Sequence, residues 1–260
     1  MQINFLTVVN FYGTSYTCSL FALQSSLLHN FVFCDIIKYP RFAGVEKMKE
    51  NYSRLLEKEL ADIKNMVTKP RLLMQACCAP CSSYVLEYIS SLFDLSVYFY
   101  NPNISPAAEF SFRLVELDCF IKSAGYEEVK LLSPDYDPTE FFSAVRGMED
   151  LPEGGERCRV CYELRLRKTA EAARNGGFDY FCTTLSISPY KNAEWLNEIG
   201  KKLEAEYGVK WLYSDFKKKN GYKRSIELSA EYGLYRQDYC GCVYSKAESD
   251  KRRQEADTTK

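Results

Sequence analysis

The turn Cys77-Cys78-Ala79-Pro80-Cys81-Ser82 constrains this chain more than any other stretch. It follows the apolar run Leu72-Leu73-Met74 and opens the helical pattern Ser83-Tyr84-Val85-Leu86-Glu87-Tyr88-Ile89. A turn from strand into helix is where an open α/β sheet places its ligand. Here that turn carries three thiols. Cys77 and Cys78 are adjacent, whereas structural zinc sites usually take their ligands as separated pairs. Two further groups, Cys158-x-x-Cys161 and Cys240-Gly241-Cys242, read as partners of this turn.

The remaining pattern supplies the sheet. Leu56, Leu60, Ile63 and Val67 recur on one face of a helix over 45–67, which Pro70 ends. Strands are expected over 71–76, 95–100, 128–132, 178–184 and 209–213. Helices are expected between them: one with Phe112, Val115 and Cys119 inward, others over 139–145, 160–174 and 193–207, and a short one over 225–232. This alternation implies one doubly wound, mostly parallel sheet of about five strands, Rossmann-like, followed by a C-terminal cysteine segment. Cys77, Asn101, Ser133, Ser186 and Ser214 then follow the carboxyl ends of their strands, so five loops share one edge.

Composition bounds the function. The chain has 260 residues, 46% of them hydrophobic, enough for a real core, and 27% charged. A net charge of −1 excludes a globally basic nucleic-acid binder but leaves room for a local basic face. Eleven cysteines, seven of them in three clusters, in a chain of this length point to metal or redox chemistry in a reducing cytoplasm, not to a disulfide scaffold. The single cysteines Cys18, Cys34, Cys119 and Cys182 read as buried small hydrophobes.

Residues 1–34 contain no Asp, Glu, Lys or Arg, yet polar residues interrupt them too often for a signal peptide or membrane anchor. Residues 1–47 read as an atypical extension, with translation expected to start near Met48. A single α/β domain is expected over 48–245 and a charged, disordered tail over 246–260. The only histidine, His29, falls in the extension, which argues against histidine-based chemistry.

There is no GxGxxG and no GxxxxGK[ST], so phosphate-loop nucleotide binding is not signalled. Arg157-Cys158-Arg159-Val160-Cys161 opens a helix, where the dipole and two arginines are expected to favour thiolate. Cys77, Cys78, Cys158 and Cys161 make four sulfurs, the usual complement of a [4Fe-4S] cluster, with a structural zinc as the alternative. Cys240 and Cys242 suit a redox-active dithiol or a second metal site. Cys81 has no assigned partner. The five cations Lys217, Lys218, Lys219, Lys223 and Arg224 form a candidate phosphate-binding loop, which Arg165, Arg167 and Lys168 would extend. Tyr162, Tyr190, Tyr235 and Tyr239 lie near the thiols in sequence, where one could stack on a base or supply a proton.

Together these motifs resemble the QueH-type epoxyqueuosine reductases. The residues that carry the resemblance are the cysteine turn, Tyr100-Asn101-Pro102-Asn103-Ile104, Arg157 to Tyr162, Thr183-Thr184-Leu185 through Ser188-Pro189-Tyr190-Lys191, Gly221-Tyr222-Lys223-Arg224-Ser225, and Gly233-Leu234-Tyr235-Arg236-Gln237 through Cys242. The resemblance covers about residues 71–245 and implies a fold related to adenine nucleotide α-hydrolases. It implies cobalamin-independent reduction of epoxyqueuosine to queuosine at the wobble position of tRNA, with a [4Fe-4S] cluster, a nearby mononuclear iron and an electron donor. By position, Cys77, Cys78, Cys158 and Cys161 correspond to cluster ligands and Cys240 and Cys242 to the redox-active pair. Cys81, Asp238 or the Cys240 pair are candidates for holding the second iron. Competing readings are a zinc-stabilised nucleic-acid-binding module and a general thiol–disulfide oxidoreductase.

Overall fold

The computed structural model describes residues 50–258 and, before them, two strands over 5–9 and 15–19. The chain divides into two compact units, Met1–Met48 and Lys49–Lys260. In the first, β1 (Phe5–Val9) pairs antiparallel with β2 (Ser15–Ser19), Phe5 opposite Ser19. His29, Cys34, the side chain of Cys18 and the expected start at Met48 lie outside the described residues.

The second unit opens with α1 (Tyr52–Lys64), which buries Leu56, Leu60 and Ile63. Val67, expected on the same face, lies beyond the helix end and is fully exposed. Five strands follow: β3 (Arg71–Gln75), β4 (Asp94–Tyr98), β5 (Lys130–Leu132), β6 (Tyr180–Thr183) and β7 (Lys210–Trp211). They form one all-parallel sheet in the order β5-β4-β3-β6-β7. The central strands are apolar without alternation because helices cover both faces: Leu72, Leu73, Met74, Phe181 and Cys182 are all buried.

One helical layer holds α2 (Ala79–Ile89), packed against α3 (Ala107–Ser123) and α7 (Gly221–Glu231). The other holds α5 (Glu156–Asn175), which contacts β3 and β6 and packs against α4 (Pro138–Ala144) and α6 (Ala193–Tyr207). The close fit of α6 on the sheet depends on Gly200, where a Cβ would fall 2.1 Å from the Trp211 indole. The chain winds outward from β3 through β4 to β5, then returns to build β6 on the other side of β3. The reversal puts a crevice at the carboxyl ends of β3 and β6, the topological switch point where doubly wound sheets bind ligands.

Three expectations need correction. Helix α3 buries Phe110, Arg113, Leu117, Phe120 and Ile121, whereas Phe112, Val115 and Cys119 are exposed. The inward face was hidden in the sequence because one of its members is an arginine. The 217–224 loop is only partly a loop, since α7 starts at Gly221 and carries Tyr222, Lys223 and Arg224. The charged segment expected to be a disordered tail is α8 (Val243–Thr258), helical to Thr258. It has no apolar stripe, but Ser245 and Ser249 are buried, Glu248 meets Arg157 at 3.3 Å, and Lys246–Asp250 at 2.8 Å is an i,i+4 ion pair.

A thiol-lined candidate active site

The strand ends beneath the cysteine turn are tied by buried polar side chains. Gln75, at the end of β3, donates through Nε2 to the Tyr100 carbonyl at 3.2 Å and to Asn101 Oδ1 at 3.1 Å. Thr183, at the end of β6, donates to Gln75 Oε1 at 2.8 Å. Asn101 donates to the Ala76 carbonyl at 2.8 Å and accepts from Arg165 of α5 at 2.6 Å. Three neighbouring strands and one helix are thereby held in register at the edge where the thiols emerge. The polar Gln75 closing an apolar strand was the available sequence signal for this network, and sequence reasoning passed over it.

After β3 the chain stays extended through Cys78, the N-cap of α2, and Pro80 stands in the first turn, where a missing N–H costs nothing. The thiols of Cys77, Cys78 and Cys81 lie within 4.8 Å of one another, with Cys77 and Cys78 Sγ 3.6 Å apart. Cys81, without a partner in the sequence reading, thus belongs to a group of three thiols close enough to hold one metal ion. Hydrogen bonding from Cys78 and Cys81, helped by Arg165 and Arg113, holds the Cys77 thiol well below the ordinary thiol range. The same sharing pushes Cys78 up to about 12 and Cys81 upward as well. Of the three, Cys77 is thus the thiol whose ionisation the neighbours favour.

Cys158 and Cys161 occupy the first turns of α5, as their spacing implied. The Gly154 N–H donates to Cys158 Sγ at 3.3 Å. The expected thiolate bias does not hold here. Burial dominates, raising Cys158 and pushing Cys161 up to about 11. The two flanking arginines point elsewhere. Arg157 donates to the Glu149 carbonyl at 2.8 Å and stacks on Tyr244, and Arg159 lies over Trp195.

The segment before α8 brings in the third group. Cys240 and Cys242 Sγ stand 3.5 Å apart, and Ser245 Oγ is 3.1 Å from Cys240 Sγ. Gly241 between them has φ +108°, a left-handed conformation that favours glycine. Its carbonyl accepts from Ser105 N–H at 2.9 Å, fastening the loop to the segment that leads into α3. Hydrogen bonding from Cys242 holds the Cys240 thiol well below its usual range, and the Lys191 ammonium adds to this. Lys191 is nearly buried and bonds Glu153 at 3.0 Å. Burial alone would lower its ammonium, but Cys240, Tyr162 and Glu153 outweigh that and keep it charged.

All seven of these thiols line one cavity of about 780 Å³ at the switch point. Arg113, Arg165, Lys191 and Arg236 line it too, as does Tyr162, whose buried hydroxyl has no hydrogen-bond partner among the described residues. Asp238 reaches the same cavity, but its carboxylate is taken by Ser249 at 2.8 Å and Arg253 at 2.7 Å, and these partners depress its pKa. None of Lys217, Lys218, Lys219, Lys223 and Arg224 lines the cavity. Lys217 pairs with Asp215 at 2.5 Å, Lys219 with Glu57, and Arg224 with Glu87 at 2.7 Å, while Lys218 and Lys223 are exposed. Arg113 was missed in the sequence because an arginine in mid-helix reads as a solvated residue.

A parallel α/β sheet whose ligand edge is furnished with convergent cysteines and buried cations defines a protein built for metal or redox chemistry at thiols. Comparison with known proteins agrees. Residues 72–248 match the family model described as "Epoxyqueuosine reductase QueH". The chain is 46% identical over 200 residues to the epoxyqueuosine reductase QueH of Streptococcus pyogenes serotype M1, covering 76% of this chain and 78% of that protein. It is 40% identical over 188 residues to the Haemophilus influenzae protein of that name, covering 71% and 75%. For the Thermotoga maritima protein the identity is 39% over 180 residues, covering 68% and 91%. The chain belongs to the epoxyqueuosine reductase QueH family and is an oxidoreductase.

Proposed function

We propose that this protein reduces epoxyqueuosine to queuosine at the wobble position of tRNA, the last step of queuosine synthesis, without cobalamin. The observation that carries the reading is the convergence of seven thiols from three distant segments on one cavity at the switch point. Its volume of about 780 Å³ suits a modified nucleoside.

The reaction turns an epoxide into an alkene and releases water, which takes two electrons and two protons. Oxidation of the Cys240–Cys242 dithiol to a disulfide supplies two electrons, and an external electron donor restores the dithiol. The low-lying Cys240 thiol and its neighbour Lys191 keep one member of the pair poised as thiolate, the reactive form. Buried cations on the cavity wall offset negative charge building on the leaving oxygen.

The donor set fits an iron–sulfur cofactor: the sulfurs are buried, crowded and backed by arginines. Cys77, Cys78, Cys158 and Cys161 would hold a [4Fe-4S] cluster. Cys81, the third member of the turn's sulfur group, is better placed for an additional mononuclear iron than Asp238, which is already engaged. When bound, the cluster supplies one-electron transfer and the iron Lewis acidity toward the epoxide oxygen. Lys217, Lys218, Lys219, Lys223 and Arg224 would serve as outer contacts to tRNA phosphates away from the cavity. A tRNA substrate places the enzyme in the cytoplasm, and no described helix is long and apolar enough to cross a membrane.

Complementation tests the reading. Expressed in a host stripped of its own epoxyqueuosine reductases, the protein should restore queuosine to tRNA. Persistence of epoxyqueuosine despite soluble expression would reject the substrate.

A further inference from the structure

Tyr190 stands out at the mouth of the cavity. It lines that mouth, yet 77% of its surface is exposed. Among the described residues its ring stacks on no other ring and its hydroxyl makes no hydrogen bond. The backbone around it is nevertheless well tied. Its N–H donates to Ser188 Oγ at 3.3 Å, and the Lys191 N–H donates to the Ser188 carbonyl at 3.2 Å. The next side chain, Lys191, turns into the protein and is anchored on Glu153, and Asn192 caps α6 through the N–H groups of Glu194 and Trp195. An aromatic ring is thus presented to solvent from a turn fixed on both sides. Of the other half-exposed tyrosines lining the cavity, Tyr222 already has the Arg236 guanidinium over its face at 5.7 Å, and Tyr239 has the Arg113 guanidinium at 5.2 Å. Arg252 of α8 lines the same cavity, is exposed, and is engaged by no ion pair among the described residues.

A free aromatic face paired with an unengaged cation is the pattern with which proteins hold single-stranded nucleic acid: bases stack on the ring and phosphates meet the cation. We propose that Tyr190 is the stacking platform for an unpaired anticodon-loop base next to the nucleotide inserted in the cavity, with Arg252 contacting the adjoining phosphate. This inference rests on the tRNA-reducing function proposed above. It adds that the loop is gripped by stacking at the cavity mouth.

The test is filter binding of epoxyqueuosine-containing tRNA, purified from cells lacking such reductases, to the anaerobically prepared protein. Tyr190→Ala should raise Kd about tenfold or more, the worth of one base stack, while Tyr190→Phe stays within about twofold of wild type. Arg252→Gln should weaken binding and reduce the slope of log K against log salt by about one phosphate contact. Thermal unfolding of the variants should match wild type, because both side chains are exposed. Wild-type binding that Tyr190→Ala leaves unchanged would overturn the platform. Equal losses in Tyr190→Ala and Tyr190→Phe would also overturn it, because the hydroxyl and not the ring would then be responsible. If the wild-type protein neither binds nor reduces this tRNA, the function reading itself fails and takes this inference with it.

Discussion

The guanidinium of Arg113 donates to the carbonyl of Cys240 at 3.3 Å, although 127 positions separate them in the chain. Arg113 is buried in α3, bonds Glu109 at 2.7 Å and lies over the Tyr239 ring. It thereby fastens the last cysteine pair to a helix of the sheet's cover. Arg113→Ala removes one partner of a nearly buried ion pair and should destabilise the protein by about 3 kcal/mol in urea unfolding. Arg113→Lys keeps the charge, loses the fork and should fall between. A loss under about 0.5 kcal/mol in Arg113→Ala, as for an ordinary surface site, would contradict this role.

Gly241 gives the same loop its shape. At φ +108° any side chain is strained, and a Cβ would sit 2.9 Å from Ile104 Cγ1 and 3.1 Å from the Arg113 guanidinium. Gly241→Ala should cost about 1–3 kcal/mol and move Cys240 away from Cys242. Kinetics of disulfide formation by a mild oxidant would show it: the variant should close the pair more slowly than wild type, with the remaining thiols unaffected.

Clustered and isolated cysteines should separate cleanly by metal content. Cys78→Ala should lose most of the iron and the broad visible absorbance of the anaerobically purified protein. Cys182, buried in β6 and apart from the cavity, should behave differently: Cys182→Ala should keep both and lose only about 1 kcal/mol of stability. Colourless wild-type protein containing zinc alone would favour the zinc-stabilised module instead.

Acid should loosen one helix pair before the core. Glu163 of α5 accepts from Lys202 of α6 at 2.7 Å and from Arg167 at 3.0 Å, and these bonds depress its carboxyl. A depressed carboxyl contributes stability that is fully present above its unfolded pKa of about 4.3 and lost as pH falls through the lower folded value. The site is largely solvated, so the contribution is below about 1 kcal/mol. Unfolding free energy followed from neutral pH into acid should therefore fall less steeply in Glu163→Gln than in wild type.

How far the sequence could be read follows from where its signals are local. The parallel sheet was legible because apolar runs alternate with amphipathic helices, and the cysteine turn was legible because it closes the central strand. Contacts made in space were not. Arg113 inverted the reading of α3, since a buried guanidinium looks like a surface residue until the thiols and the Cys240 loop are seen against it. Helix α8 looked like a solvated tail because its order comes from Glu248, Ser249 and opposite charges one turn apart. Cys81 looked idle because its sulfur partners are set by the turn's geometry. The run at Lys217 looked like a free basic loop because Glu57 and Glu87, which neutralise two of its members, lie far away in sequence.

The proposed function requires the thiol-lined cavity to reduce an epoxide carried on tRNA. The most direct measurement is a nucleoside mass analysis of epoxyqueuosine-containing tRNA after anaerobic incubation with the iron-loaded protein and dithionite. Wild-type protein should yield a nucleoside lighter by one oxygen atom, with the retention time of queuosine, and Cys240→Ala should yield none. Unchanged epoxyqueuosine with protein that holds its iron, or full conversion by Cys240→Ala, would contradict it.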